Sequence, residues 1–178
     1  MQVPRFVILL AVLLLFVAGC AESLIVVQQT TPVRTGVRWA LLPVANFTET
    51  AQAGERVEGL LDSELREAGV VNLEHYPPLK DDDAHLTTSE HQRVEESLAW
   101  ARSAKFDYAV TGSVVEWRYK GTIDAEPAVG VTVSVIELPS GRTVFSGSGA
   151  RTGTSTDSVS ATALTILHSV VAKFDKRP

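Results

Sequence analysis

Closely spaced acidic side chains occur in two predicted loops of the chain. They are Asp81, Asp82 and Asp83, with His85 close by, and Asp124 with Glu126. Carboxylates at such spacing can attract cations through their summed field or bind a hard metal ion. The run at 81–83 lacks the alternating acceptors and the turn glycine of an EF-hand loop. We therefore expect either a plain solvated loop or a surface that can attract a cationic partner, and no metal site.

Aromatic and basic side chains follow one another at the end of a predicted strand: Trp117, Arg118, Tyr119 and Lys120. Aromatic rings stack on sugar rings and lie at the headgroup level of membranes, and both environments accept a basic neighbour. Such a cluster can equally do no more than complete a hairpin. Two interpretations of this cluster therefore remain open: contact with a membrane or a sugar, and a purely structural role.

Small residues at 147–153 (GSGARTG) raise the question of a phosphate-binding turn. Their spacing fits neither a dinucleotide-binding fingerprint nor a P-loop with its lysine, and we expect close approach of strands or subunits instead. The sequence also has no G-x-S-x-G elbow, and its four histidines show no metal-ligand spacing. We expect a protein that is not an enzyme and that needs no cofactor.

Cys20 is the only cysteine, and it follows an apolar run at 6–18 that is too short to span a membrane. Arg5 precedes this run and small residues follow it, as in a signal peptide. The sequence Val17, Ala18, Gly19, Cys20 resembles the lipobox of bacterial lipoproteins. We predict cleavage after residue 19 and lipidation of Cys20, which leaves no thiol for a disulfide or a metal.

Charge and composition limit what the remaining chain can do. The whole chain carries a formal net charge of −5, and loss of the leader with Arg5, its one basic residue, makes it −6. Binding to nucleic acid by bulk charge is therefore not expected. Residues 20–36 contain the polar run at 28–31 and Pro32, which predicts a lipidated tether, and residues 37–178 are long enough for a single domain.

Hydrophobic periodicity predicts the elements of this domain. Strands are expected at 37–47, 70–76, 106–119, 129–138 and 143–151. Helices are expected before Gly69, after a Ser89 N-cap and over 159–174. The order βαβαβββα predicts an α/β (α+β) domain, with a mixed sheet of about five strands and helices packed on it.

Several of these segments resemble a known family. Residues 40–47 (ALLPVANF), followed by an amphipathic helix, look like the opening of periplasmic domains of the CsgG, LpoB and TolB N-terminal group. Residues 106–114 (FDYAVTGSV), 116–120 (EWRYK), 126–131 (EPAVGV) and 140–149 (SGRTVFSGSG) are similar to the PelC family of lipoproteins of Pel exopolysaccharide export. The resemblance spans nearly the whole domain and includes no catalytic motif.

The resemblance implies a ring of subunits on the periplasmic face of the outer membrane. An acidic opening, with Asp81 to Asp83, Asp124 and Glu126 as candidates, would guide a cationic polysaccharide toward a β-barrel porin. Ala21 agrees with this destination, because an Asp after the lipidated cysteine is expected of inner-membrane retention. Two alternatives remain: an LpoB-like activator of a peptidoglycan synthase and a CsgG-like secretion component.

Overall fold

A computed structural model describes residues 23–77, 90–121 and 123–177 of the chain. The predicted signal peptide, Cys20, the Ser89 cap and the acidic run at 81–83 lie outside the described residues, so these remain predictions.

A six-stranded mixed sheet forms the centre of the domain. Its strands are β1 (Ser23–Gln29), β3 (Arg38–Asn46), β4 (Asn72–His75), β5 (Tyr108–Tyr119), β6 (Pro127–Glu137) and β7 (Arg142–Thr152). The strand order across the sheet is β1-β7-β6-β5-β3-β4. The pairs β1–β7, β7–β6 and β6–β5 are antiparallel, whereas β3 lies parallel to both β5 and β4. The predicted mixed α/β architecture is confirmed.

Three helices and a small second sheet complete the described fold. The helices are α1 (Ala53–Glu67), α2 (Glu90–Ser103) and α3 (Val159–Val171). Strands β2 (Val33–Arg34) and β8 (Lys176–Arg177) pair in parallel and join the two ends of the domain. Within the described ranges, no helix is both long and apolar enough to cross a membrane.

The prediction of a polar tether over 20–36 is wrong from Ser23 onward. Strand β1 pairs with β7 along its whole length, from Ser23 opposite Arg151 to Gln29 opposite Phe145. Ile25 and Val27 pack against the main core, and Val33 is fully buried. Without β1 the long strand β7 would present an open, unpaired edge. The sheet therefore has six strands, against the five expected.

The main core lies between one face of the sheet and the helices α1 and α3. Trp39 is completely buried in it, with its ring centroid 4.8 Å from that of Tyr108 and 6.5 Å from that of Phe174. Its indole N–H donates to the Arg34 carbonyl at 2.9 Å, so burial leaves no donor unsatisfied. Helix α2 covers part of the opposite face, over Ala40 and Leu42 of β3.

The glycines of β7 allow helix α3 to approach the sheet closely. A Cβ atom at Gly147 would lie 2.6 Å from Val170 Cγ1, and one at Gly149 would overlap Ile166 Cγ2. The sequence predicted a close approach of strands or subunits at 147–153. Ile25 of the neighbouring strand β1 does lie close to Gly149, but the main neighbour of Gly147 and Gly149 is a helix of the same domain, which was not predicted.

Helix α1 is held to strand β3 by a polar contact as well as by packing. The Glu58 carboxylate accepts the Val44 N–H at 2.8 Å at the point where the ladder between β3 and β5 shifts register. Burial raises the pKa of Glu58, and the hydrogen bond from Val44 offsets only part of this effect.

Candidate functional site

The end of the β5–β6 hairpin brings together the two sets of site residues that the sequence suggested there. Tyr119 lies opposite Pro127 in the last pair of the ladder, and the Lys120 N–H donates to the Glu126 carbonyl at 2.8 Å. The Lys120 ammonium lies 3.7 Å from the Glu126 carboxylate, and Asp124 is exposed in the connecting loop. Acidic and basic groups therefore partly neutralise each other at this hairpin end.

Trp117 does not belong to an exposed cluster. It is 3% exposed and packs in the main core, so the prediction of membrane or sugar contact is wrong for its side chain. A register shift between Val114 and Glu116 changes the alternation of the strand and directs Trp117 inward. Arg118 and Tyr119 are exposed and Lys120 is half-buried, and membrane or sugar contact by these three residues remains a prediction.

The loop between β3 and α1 lies directly beside this hairpin. The Phe47 N–H donates to the Val114 carbonyl at 2.9 Å, and the Thr50 hydroxyl donates to the Trp117 carbonyl at 2.8 Å. Inside the loop the Asn46 side chain accepts the Thr48 N–H at 3.0 Å and donates to the Thr50 carbonyl at 2.8 Å. These bonds fix the loop, so the groups that it presents are held in place.

An open groove of about 580 Å³ separates the loop from the strand. Its walls are residues of the loop and of β5, namely Phe47, Thr48, Glu49, Thr50, Val115, Glu116, Trp117 and Arg118. Phe47 is 61% exposed and offers a ring face. Glu116 is paired with Arg118 at 2.8 Å, whereas no cation of the described chain lies within ion-pair distance of Glu49.

A second, shallower groove of about 300 Å³ shares Phe47 with the first. It runs over the part of the sheet that α2 leaves uncovered, where the hydroxyls of Thr111, Ser113, Thr132 and Ser134 lie side by side on adjacent strands. Ser113 and Thr132 bond to each other through their hydroxyls at 2.8 Å. The carboxylate of Glu95 also lines this groove.

We call the two grooves together the Phe47 surface. It combines an exposed aromatic ring, a carboxylate without a partner among the described cations and a row of hydroxyls. A ring that stacks, a carboxylate that attracts an ammonium group and hydroxyls that exchange hydrogen bonds can together hold an amino sugar. The sequence analysis did not identify Phe47 or Glu49 as site residues. The signal that could have identified them is the aromatic residue Phe47, which directly follows the buried strand β3.

The fold of this chain is similar to that of several solved structures. Comparison with models of known protein families and with characterised protein sequences finds no match. The PelC dodecamer from Paraburkholderia phytofirmans is 30% identical with a TM-score of 0.74, over 88% of this chain and 100% of that one. This chain belongs to the PelC family. A single-substitution variant of the same PelC protein matches at 29% identity and a TM-score of 0.72, with the same coverage.

Membership of the PelC family confirms the resemblance inferred from the sequence. The match includes the whole of the solved PelC chain, so this chain contains a complete PelC fold. Lipoprotein GNA1162 from Neisseria meningitidis matches with a TM-score of 0.54 at 15% identity, over 80% of this chain and 97% of that one. At that identity the likeness shows only that the fold is shared outside the PelC family.

Proposed function

We propose that this chain is a non-enzymatic lipoprotein of Pel-type exopolysaccharide export. In this proposal lipidated Cys20 holds it to the periplasmic face of the outer membrane. Twelve copies form a ring that guides a cationic polymer toward a β-barrel porin. The observation that carries the proposal is the match over the full length of a PelC chain whose solved structure is a dodecamer.

The position of β1 supports a ring held close to the membrane. Because β1 begins at Ser23, only Ala21 and Glu22 separate the predicted anchor from the sheet. Three extended residue steps span at most about 11 Å. The start of β1 at Ser23 therefore stays within about 11 Å of the predicted anchor, which keeps this end of the sheet near the bilayer.

The Phe47 surface supports a role in contact with the polymer. Each exposed charge contact contributes at most about 1 kcal/mol in water, so one subunit holds an amino sugar weakly. A ring presents the same surface many times, and the contacts add through effective concentration. Weak, repeated contacts suit a polymer that must keep moving.

We expect the mature chain with Cys20→Ser to behave as a dodecamer in solution. Light scattering coupled to gel filtration measures the mass directly. The replacement removes the lipid and the thiol but none of the described residues. A monomer over the whole concentration range would contradict the ring and favour the activator alternative.

We expect Phe47→Ala/Glu49→Gln to weaken binding of a cationic amino-sugar polymer by at least about fivefold, since a stacking face and a carboxylate are lost together. Chitosan oligomers serve as the probe, and titration calorimetry at low ionic strength measures the affinity. Raised salt should weaken binding by the wild type, because the charge contacts are screened.

Val71→Ala/Glu74→Gln is the matched control for this polymer variant. It removes an apolar side chain that is 68% exposed and one acidic charge from residues that line neither groove. Equal affinities of the two double variants, or wild-type binding that raised salt leaves unchanged, would contradict polymer contact at the Phe47 surface.

A further inference from the structure

Three metal-ligating side chains meet between the ends of α1 and α3. Glu64 and Glu67 lie three residues apart on α1, and His168 lies in the last turn of α3. One carboxylate oxygen of each glutamate and one imidazole nitrogen all lie within 4.8 Å of one another. The three residues lie outside the Phe47 surface and have no part in the proposed function.

Glu64 is the unusual member of this group, because its side chain is only 8% exposed. A buried carboxylate is costly unless a cation or several hydrogen bonds compensate it. Within the described chain its side chain has one partner, His168 Nδ1, at 3.0 Å from Oε2. This imidazole is 59% exposed and belongs to the cluster itself, so the carboxylate has no partner from outside the cluster.

The surroundings of the cluster favour a cation. A cavity of about 140 Å³ adjoins the three ligands and is also lined by Ala68 and Ala172, the C-cap residues of α1 and α3. The C-terminus of a helix carries a partial negative charge, and two such ends meet here. Lys176 lines the same cavity, and in the described structure its ammonium forms no ion pair with Glu64 or Glu67.

We propose that Glu64, Glu67 and His168 bind a divalent transition-metal cation of the Zn²⁺ type. Tetrahedral ligands about 2.0–2.1 Å from Zn²⁺ are about 3.3 Å apart. The three ligand atoms here lie within 4.8 Å of one another, with 3.0 Å between His168 Nδ1 and Glu64 Oε2, so the side chains must draw together around the ion. An imidazole nitrogen with two carboxylates suits Zn²⁺, Ni²⁺ or Cu²⁺, whereas Mg²⁺ and Ca²⁺ prefer oxygen ligands alone. Bound metal would cross-link α1 to α3.

Titration calorimetry of the metal-stripped mature chain carrying Cys20→Ser, with ZnCl₂ as the probe, tests the site. We expect one Zn²⁺ per chain, no binding of Mg²⁺ and a higher thermal midpoint with Zn²⁺. Glu67→Gln and His168→Gln should each lower the affinity at least tenfold. Glu67 and His168 are both exposed, so these variants are expected to fold. Lys176→Ala should tighten binding, because it removes the competing positive charge.

His75→Gln provides the matched control. His75 lies on the surface with its Nε2 2.9 Å from Asp62, and in the described residues this pair is not part of a three-ligand group. Zn²⁺ binding should be unchanged in this variant. Absence of Zn²⁺ binding by the wild type, or equal affinity in the wild type and both ligand variants, would overturn the proposal; the Glu64–His168 contact would then be a structural link only.

Discussion

Gly54→Ala is expected to destabilise the folded domain by about 2–3 kcal/mol, although alanine is the better helix former by about 1 kcal/mol. Gly54 lies at the start of α1, where the helix rests on the backbone of β3. A Cβ atom there would overlap the Val44 carbonyl oxygen and lie 3.3 Å from its carbon. A backbone carbonyl inside a sheet cannot rotate away as a side chain can, so α1 would have to move off the sheet.

Gly59→Ala is the matched control, five residues farther along the same helix. Nothing lies within 4 Å of a Cβ atom at Gly59, so the helix propensity of alanine should stabilise this variant by about 0.5–1 kcal/mol. Urea unfolding at one fixed protein concentration compares the two free energies of unfolding. If Gly54→Ala is as stable as Gly59→Ala, α1 does not rest on β3 as described.

The contact at Gly54 also links the fold to the Phe47 surface. The loop that carries Phe47 and Glu49 ends where α1 begins, and Asn46 at the end of β3 fixes its other end. A helix displaced from β3 would pull on this loop and on the Thr50 hydroxyl that anchors it to β5. We therefore expect Gly54→Ala to weaken polymer binding too, although the residue does not line either groove.

The sequence alone predicts those strands and helices whose own residues show a clear hydrophobic pattern. Strand β3 is buried over almost its entire length and appears as an unbroken apolar run, while α1 places Val57, Leu61 and Leu65 on one face. Such patterns arise from the side that each element buries, and they can be recognised without knowledge of its partner. The same holds for the meander from β5 to β7, whose strands follow one another in the chain.

The Phe47 surface and the metal-ligating cluster could not be recognised in this way, because their residues are far apart in the chain. Thr50 and Trp117 are 67 residues apart, and Glu64 and His168 are 104 apart. The parallel pairing of β3 with β5 joins the first pair, and the packing of α1 beside α3 joins the second. Neither of these two contacts between distant residues can be predicted from spacing along the sequence. Trp117 was misassigned for a related reason, since a bulge reverses the side to which it points.

Strand β1 was missed because half of its apolar residues point away from the core. Ser23–Gln29 carries Leu24, Ile25, Val26 and Val27 in a row, without the alternation expected of a half-buried strand. Its partner β7 lies more than 100 residues farther along the chain. The run also follows a cleavage site, where a tether is the ordinary expectation. Only the tertiary structure distinguishes the two faces of this strand.

Replacing the inward residues of β1, as in Ile25→Ser/Val27→Ser, is therefore expected to cost about 2–4 kcal/mol of unfolding free energy. Both side chains are partly buried against the core, and loss of such apolar contact costs about 1–2 kcal/mol each. The outward pair on the same strand provides the control. Leu24 and Val26 are 68% and 59% exposed, so Leu24→Ser/Val26→Ser should cost less than about 1 kcal/mol.

Urea unfolding of both double variants in the Cys20→Ser chain, at a single protein concentration, measures this difference. Each double variant replaces one large aliphatic residue and one valine of β1 by serine. The two variants therefore change composition and strand propensity by nearly the same amount, and they differ in the face of the strand that is altered. A flexible tether has no inner and outer face, and it would give two equally small losses. A large loss confined to Ile25→Ser/Val27→Ser requires that β1 is part of the folded sheet. In that case only Ala21 and Glu22 lie between the predicted lipid anchor and the folded sheet, and membrane attachment would keep the start of β1 close to the bilayer.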